Sequence, residues 1–506
     1  MLHPSLQQAA VFSGTGAYDR VPVYRELFMD MFTPMQVLRM LKRVSRHTFL
    51  LESAEQSQKW GRYTFLGYDP QLVVTCRNGV LKIDSGTAFS TDRETPQQVI
   101  RRILSQNRAP RLEGLPPFTG GLVGYFGYDY IKYTEPVLKP VLEAEPQGMP
   151  QEKEPETAVG EVFNDLDLML FEKIIAFDHY RQKIFLIKNI RLDDLQTEYS
   201  RAEMELDSLA DLLKAGRYAE AQPLTLKSPF RALFSREAFC GMVDRAKRYI
   251  REGDIFQVVL SNRLEAEMSG SLLDAYRILR TANPSPYMFY FSGSDLEIAG
   301  ASPETLVKVE GETVHTFPLA GTRRRGATEE EDLALEKELL ADEKERAEHN
   351  MLVDLGRNDV GKVSRFGSVE VERYMEIERF SHVMHIGSVV KGLLKENKDA
   401  LDALDAILPA GTLSGAPKIR ACQIIQELEQ AKRGIYGGAI GYLDFSGNLD
   451  TCIAIRIAYA KEGKVFVRSG AGIVADSVPE NEYQECLNKA AAVLEALKAA
   501  QGGEIG

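Results

Sequence analysis

FEKIIAFDHYRQKIFLIKNI, residues 171–190, is the stretch that decides the fold class. It holds two strand-like runs joined by too few residues for a helical crossover, so it predicts an antiparallel hairpin. Helical patterns lie elsewhere, at 236–252, 329–356, 399–406 and 480–500. Because strands and helices are segregated along the chain, the pattern favours an α+β protein over a doubly wound sheet.

The bulk composition is that of a soluble globular protein. The chain has 506 residues, 44% of them hydrophobic, which indicates more than one folding unit. Its net charge of −12 gives no reason to expect a nucleic-acid or membrane partner, although a local cationic pocket for a small anion is compatible with it. Five scattered cysteines, no signal-like segment and no run of 18 apolar residues lead us to expect a cytoplasmic protein.

Two polar stretches divide the chain. LEAEPQGMPQEKEPETAVGE, residues 142–161, is predicted to be a solvated loop, and residues 222–235 precede a predicted helix. We expect an N-terminal part, residues 15–225, and a part with more chemical motifs, residues 226–500.

Two glutamate pairs share the same helical spacing. Glu345 and Glu348 lie on one face of a predicted helix, and Glu482 and Glu485 repeat the spacing, with Lys489 four residues further on. If the pairs converge, their oxygens suit Mg²⁺, whereas a di-iron site would require Glu-x-x-His. The alternative is two hydrated helix ends with a surface ion pair.

DTCIAIRIAYA, residues 450–460, contains an arginine among small side chains. Strict alternation in a strand would place Cys452, Ala454, Arg456 and Ala458 on one face. If Arg456 is buried it requires an anionic partner, and if it lies on an edge strand it is simply exposed. The run Gly470–Gly472 follows the next predicted strand, and its backbone N–H groups could approach an anion closely.

Two histidines lie close together in RFSHVMHIGSVV, residues 379–390. In a strand, His382 and His385 face opposite sides, so at most one is expected to be catalytic. The alternative is a hydrogen-bonded histidine in the core. The sequence contains no phosphate-binding loop, dinucleotide fingerprint or nucleophile elbow.

Five motifs together resemble the chorismate-utilising enzymes, in that family's order. They are PLAGTRRRG (318–326), DEKERAEHNMLVDLGRND (342–359), SHVMHIGS (381–388), LSGAPK (413–418) and RSGAGIVADSVPENEYQE (468–485). Upstream, LLES (50–53) and NPSPYM (283–288) resemble the tryptophan-sensing elements of the anthranilate synthase branch. The resemblance implies two large antiparallel sheets flanked by helices, with the active site in the cleft between them.

The resemblance also implies roles for individual residues. Glu348 and Glu485 would hold Mg²⁺ against the ring carboxylate of chorismate, supported by Glu345 and Glu482. The residues implied for substrate binding are Gly321, Thr322, Tyr436, Arg456, Gly470, Ala471, Gly472 and Lys489. Those implied for catalysis are His385, which would assist departure of the C4 hydroxyl, Glu304 for acid–base work, Thr322 and Gln257. Those implied for tryptophan binding are Ser53, Pro286, Tyr287 and Met288.

Two positions narrow the reaction within the family. Members that add water have a lysine base where this chain has Gln257, and many aminodeoxychorismate synthases have a nucleophilic lysine where it has Ala320. We therefore expect ammonia addition followed by pyruvate loss, giving anthranilate, with tryptophan as feedback inhibitor. The alternatives are an aminodeoxychorismate or aminodeoxyisochorismate synthase and, from another class, a non-catalytic tryptophan-binding regulator.

The sequence has no cysteine in a G-x-C-x-G context, as a glutaminase would require. We expect the chain to use free ammonia and a separate glutamine amidotransferase subunit to supply it.

Overall fold

The computed structural model describes residues 2–53, 61–143, 163–220, 222–380 and 383–502. The α-helices within these residues are α1 (Leu6–Ser13), α2 (Pro34–Val44), α3 (Pro96–Ser105), α4 (Lys139–Glu143), α5 (Leu195–Ala215), α6 (Arg236–Glu252), α7 (Leu273–Ala282), α8 (Glu329–Ala341), α9 (Glu343–Val363), α10 (Ala400–Ile407), α11 (Lys418–Glu429) and α12 (Pro479–Ala499).

The strands before residue 270 are β1 (Arg20–Phe28), β2 (Thr48–Glu52), β3 (Tyr63–Tyr68), β4 (Leu72–Arg77), β5 (Val80–Asp84), β6 (Ala88–Thr91), β7 (Gly121–Phe126), β8 (Leu166–Phe171), β9 (Lys173–Asp178), β10 (Lys183–Arg191), β11 (Thr225–Leu226), β12 (Arg231–Ala232) and β13 (Gln257–Ser269). Those after it are β14 (Tyr287–Ser292), β15 (Leu296–Ser302), β16 (Thr305–Glu310), β17 (Thr313–Thr316), β18 (Leu319–Arg324), β19 (Glu370–Arg379), β20 (Val383–Leu393), β21 (Gly415–Ala416), β22 (Ala439–Asp444), β23 (Leu449–Ile453), β24 (Ile457–Lys461) and β25 (Lys464–Ile473).

The described strands form two large sheets. The first has 13 strands along the order β1-β10-β9-β3-β2-β14-β15-β24-β25-β13-β11, with β12 and β21 beside β13. The second has 12 along β18-β20-β17-β16-β23-β22-β7-β8-β4-β5-β6, with β19 beside β20. The hairpin predicted from residues 171–190 is β9–β10, with Asp178 opposite Lys183. The predicted α+β fold of two antiparallel sheets flanked by helices is confirmed.

Aromatic side chains fill the space between the two sheets. Phe49 and Phe291 of the first sheet share one buried cluster with Tyr125 and Tyr442 of the second. The helices cover the outer faces: α12 packs on β25 of the first sheet, and α9 packs on β18 and β20 of the second. The helices α9 and α12 are therefore held by different sheets.

Two of the places where the chain crosses between the sheets lie side by side. Glu304 stands between β15 of the first sheet and β16 of the second, and Arg456 stands between β23 and β24 on the return. The Ile453 N–H donates to the Glu304 carbonyl over 3.0 Å, and the Ala301 N–H donates to the Arg456 carbonyl over 3.2 Å. The two crossovers are thus bound to each other through their backbones.

The alternation predicted for residues 450–460 is wrong because this stretch is two strands. Arg456 has φ = +51°, and this left-handed residue interrupts the pleat. Cys452 and Ala454 therefore share the inter-sheet core with Ile457, while Ala458 packs in the core on the outer side of the first sheet. Arg456 is a corner residue and not one of a row.

Three predicted helices, at 236–252, 399–406 and 480–500, agree with α6, α10 and α12 to within one residue at each end. The helix predicted at 329–356 is two helices, because Asp342 accepts hydrogen bonds from the backbone N–H groups of Lys344 and Glu345 and so caps α9. Most of the predicted 142–161 loop lies outside the described residues. Both sheets contain strands from each side of residue 225, and the division into parts 15–225 and 226–500 stays a prediction. In the described part of the chain no helix is long and apolar enough to cross a membrane.

Candidate active site

The two glutamate pairs face one another across the cleft. Glu345 and Glu348 lie on α9, on the second sheet, and Glu482 and Glu485 lie on α12, on the first. Burial raises the pKa of Glu348, and the charges of Glu345 and Glu485 raise it further. Burial likewise raises the pKa of Glu482, with Glu485 adding to it. The convergence that spacing left open is therefore present.

These carboxylates fit a hard divalent cation. Like charges that raise one another's pKa are stabilised by a cation placed between them, and Mg²⁺ needs only one or two protein carboxylates besides water and substrate oxygens. Glu485 also lies 2.6 Å from the ammonium of Lys489, which partly offsets its charge. Among the described residues no three His, Cys, Asp or Glu side chains form a metal-binding group. Binding of Mg²⁺ by these carboxylates therefore stays a prediction.

His385 faces the same cleft from β20. Its Nδ1 lies 2.9 Å from the Gly321 carbonyl oxygen and 3.0 Å from Thr322 Oγ1. Burial is the main cause that lowers the pKa of His385 to about 4; the Gly321 carbonyl opposes it, and the charges of Arg456 and Lys489 add to it. The imidazole is therefore neutral at pH 7. Because a carbonyl only accepts hydrogen bonds, Nδ1 carries the proton and Nε2 is the acceptor.

Glu304 has a carboxyl whose pKa lies near neutrality. Burial raises its pKa to about 7, against the opposing effects of Thr412, which donates to Oε1 over 3.1 Å, and of the charges of Lys489 and Arg456. Burial lowers the pKa of Arg456, and Glu304 opposes this. A cavity of about 40 Å³ adjoins the Glu304 side chain. That volume can hold a molecule the size of water or ammonia.

The sequence analysis placed the Gly470–Gly472 run after a strand, and this is wrong: the run forms the last part of β25. A Cβ at Gly470 would lie 2.8 Å from the Tyr436 hydroxyl, and one at Gly472 would lie 2.5 Å from Gln257 Nε2. Lys489 donates to the Gly470 carbonyl over 3.2 Å. A side chain at either glycine would therefore meet Tyr436 or Gln257, and at Gly470 it would also meet the Leu260 carbonyl oxygen at 2.7 Å. Ala471 is fully buried, with its methyl group in the core.

The comparisons with known proteins decide the family. A family model of chorismate binding enzymes matches residues 46–495. The chain is 45% identical over 514 residues to anthranilate synthase component 1 of Acetivibrio thermocellus, with 100% of both chains covered. The chain belongs to the anthranilate synthase component 1 family. It is also 46% identical over 508 residues to the component 1 of Acinetobacter calcoaceticus, covering 97% of this chain and 98% of that one.

A solved structure agrees with this membership. The crystal structure of anthranilate synthase component I from Streptococcus pneumoniae TIGR4 matches with a TM-score of 0.74 at 40% identity, covering 86% of this chain and 92% of that one. The resemblance predicted from the five motifs is confirmed.

The two elements expected to sense tryptophan in this family are neighbours. Glu52 of β2 lies opposite Met288 of β14. Because Ser53 follows Glu52 and Tyr287 precedes Met288, LLES and NPSPYM meet across one strand pair. The Tyr287 hydroxyl donates to Asp450 Oδ1 over 2.8 Å, so that side chain also has a packing role. Pro286, half-buried, directly precedes β14. Their binding of tryptophan stays a prediction.

The sequence analysis missed residues that hydrogen-bond to the candidate site residues or lie buried beneath them. Thr412 holds the Glu304 carboxyl, and Glu429 is wholly buried between two arginines, Arg433 and Arg468. The only sequence signal for the latter was the i, i+4 spacing of Glu429 and Arg433, which is typical of any surface ion pair. His382 lies outside the described residues.

Proposed function

We propose that this chain converts chorismate and ammonia to anthranilate and pyruvate, as a Mg²⁺-dependent lyase at the first step of tryptophan biosynthesis. One observation carries the proposal. A protonatable carboxyl, Glu304, an anion-binding guanidinium, Arg456, and a neutral imidazole, His385, face two opposed glutamate pairs in a single cleft. Membership of the anthranilate synthase component 1 family supports the choice of substrate.

Cationic and polar groups would bind the two carboxylates of chorismate. Arg456 retains its charge and lies beside Glu304, whose partial protonation at pH 7 leaves the guanidinium free to bind an anion. Tyr436, Lys489 and the Gly470 backbone lie together and would form a second polar group of contacts. Two separated anion sites would hold the substrate ring in one orientation.

Glu348 and Glu485 would hold Mg²⁺, with Glu345 and Glu482 in support. The cation, when bound, supplies positive charge that stabilises negative charge on the ring carboxylate. Without it, four carboxylates would repel an anionic substrate from this side of the cleft. The proposal therefore requires that binding of chorismate depend on the cation.

Proton transfer would be carried out by the protein alone. Glu304, about half protonated near pH 7, can donate a proton to the C4 hydroxyl so that it leaves as water. His385 can orient that hydroxyl by accepting a hydrogen bond at Nε2. Neither Gln257 nor Ala320 can act as base or nucleophile, so ammonia is the group that adds at C2. The C2 proton is then lost as the C3–oxygen bond breaks, so that the ring becomes aromatic. The released enolpyruvate takes up a proton at its methylene carbon and becomes pyruvate.

Two further properties belong to the proposal. Tryptophan binds at Ser53 and Pro286–Met288 and inhibits turnover, which would be a coupling between separate sites. A glutamine amidotransferase subunit supplies ammonia, because the sequence carries no glutaminase motif of its own. The adjacency of LLES and NPSPYM supports the first property, and the component 1 designation of the relatives supports the second.

The test is an assay of the purified chain with chorismate, ammonium and MgCl₂, in which anthranilate fluorescence and pyruvate are followed together. We expect both products in equal amounts, inhibition by tryptophan, loss of activity with EDTA, and no activity when glutamine replaces ammonium. Amination without pyruvate would favour an aminodeoxychorismate or aminodeoxyisochorismate synthase. Tryptophan binding without any turnover of chorismate would favour a regulatory protein.

A further inference from the structure

A cluster of three charged side chains is buried under the Gly470 end of β25. Glu429, Arg433 and Arg468 are 1%, 2% and 1% exposed. Arg433 binds the Glu429 carboxylate through Nη2 over 2.6 Å and Nε over 3.0 Å, and Arg468 Nη2 binds it over 2.7 Å. Ser261 completes the carboxylate's shell through its N–H over 2.8 Å and its hydroxyl over 2.9 Å.

The cluster has one positive charge in excess, since two guanidinium groups share one carboxylate. Their other donors end on neutral atoms: Arg433 on the Leu413 and Val259 carbonyls, and Arg468 on Ser261 Oγ and the Lys432 carbonyl. Burial would raise the pKa of Glu429, but the two arginines hold it below its usual value, so the carboxylate is ionised. An excess charge in the interior is costly unless an anion approaches it.

The excess charge lies next to the proposed carboxylate site. Arg468 precedes Gly470 by two residues, and alternate residues of a strand point to the same face. Ser261, which binds both Glu429 and Arg468, is the register partner of Gly470. Tyr436 follows Arg433 by three residues, and the charges of Arg433 and Arg468 both act on its hydroxyl. The cluster thus underlies both groups that would contact a substrate carboxylate.

The cleft itself has little positive charge to spare. Arg456 can bind one of the two substrate carboxylates, but Lys489, which would face the other, is paired with Glu485. We infer that the buried Glu429–Arg433–Arg468 cluster supplies the uncompensated positive charge that attracts a carboxylate of the substrate to Tyr436 and Gly470, and that Arg468 is therefore a specificity-determining residue. The inference rests on the proposed function and deepens it, because it concerns binding of a dianionic substrate at the same site.

The test changes the charge of Arg468 with and without its shape. Arg468→Met and Arg468→Gln remove the charge, Gln keeping an amide that can still donate to Ser261 or Lys432, while Arg468→Lys keeps the charge and loses the planar fork. A unit charge roughly 8 Å away, at an effective dielectric constant of about 20 to 40, changes affinity by about five- to thirtyfold. Chorismate binding is measured by calorimetry with MgCl₂ and without ammonia. Arg201→Met, on the exposed outer helix α5, is the control for net charge.

We expect Arg468→Met and Arg468→Gln to weaken chorismate binding about tenfold and Arg468→Lys to weaken it less than about threefold. In all three variants kcat at saturating chorismate should change less than about threefold. The inference is overturned if folded Arg468→Met or Arg468→Gln binds chorismate as tightly as wild type. It is also overturned if Arg468→Lys binds chorismate as weakly as those two variants, since the shape of the arginine side chain would then matter and not its charge. If Arg468→Met does not unfold cooperatively, the comparison of Arg468→Gln with Arg468→Lys decides alone. Wild-type protein that binds chorismate without making anthranilate would refute the proposed function while leaving this comparison intact.

Discussion

Glu304→Gln gives a prediction in which stability and activity move in opposite directions. The pKa of Glu304 rises from 4.5 to about 7 on folding, chiefly through burial. The folded state therefore holds the proton more tightly than the unfolded state, and stability falls as pH rises from about 4.5 to about 7. Once the carboxyl is ionised, the folded state is weakened by about 3 kcal/mol. Glutamine keeps the oxygen that accepts from Thr412 but never carries this charge.

The assay is urea denaturation of both proteins at intervals from pH 4.5 to pH 8.5. The gain in unfolding free energy of Glu304→Gln over wild type should be small at pH 4.5, grow through pH 7 and level off near 3 kcal/mol. Turnover should fall by about a hundredfold or more, because glutamine cannot donate the proton. Glu310→Gln is the control, since Lys308 outweighs burial and lowers the pKa of Glu310. That carboxylate is ionised in both the folded and the unfolded state over most of this range, so its difference should stay nearly flat above about pH 5. A Glu304→Gln difference that is flat with pH would refute the reasoning.

Three further predictions concern separate parts of the site. Glu485→Gln should abolish turnover and weaken Mg²⁺ binding in calorimetry while leaving tryptophan binding intact, with Glu480→Gln in the first turn of the same helix as control; equal loss of both ligands would indicate a structural role. Gly470→Ala should raise KM for chorismate about tenfold or more, because its Cβ would lie 2.7 Å from the Leu260 carbonyl oxygen and 2.8 Å from the Tyr436 hydroxyl; in a variant that still unfolds cooperatively, an unchanged KM would place the carboxylate elsewhere. Ser53→Arg should abolish the shift that tryptophan causes in chorismate saturation; a persisting shift would move the inhibitor site away from LLES.

Periodicity located the four helical segments that were predicted, although one of them is two helices. It failed for the strands where the chain passes from one sheet to the other. The α6 pattern at 236–252 matches the helix residue for residue, because its apolar spacing and its Ser235 cap agree. The alternation around Arg456 failed, because a strand that passes from one sheet to another keeps its composition while its backbone turns. A pattern with period two cannot indicate that the partner strands change halfway.

The sequence predicted candidate site residues but not their electrostatics. Spacing on two helices indicated the glutamate pairs, and the structure adds that α9 and α12 pack on different sheets while the charge of Glu485 acts on Glu348. Burial is the main cause that lowers the pKa of His385 to about 4 and raises that of Glu304 to about 7, and it depends on neighbours distant in the sequence. The opposite pKa shifts of these two residues therefore come from the structure, whereas their catalytic roles stay predictions.

The paired crossovers at Glu304 and Arg456 set the relative position of a carboxyl and a guanidinium through the main chain. Two backbone hydrogen bonds join the crossovers, so a shift of one displaces the other. Gly470 lies on a strand of the first sheet and His385 on a strand of the second. A substitution within either sheet is therefore expected to move Gly470 or His385 before it changes the separation of Glu304 and Arg456.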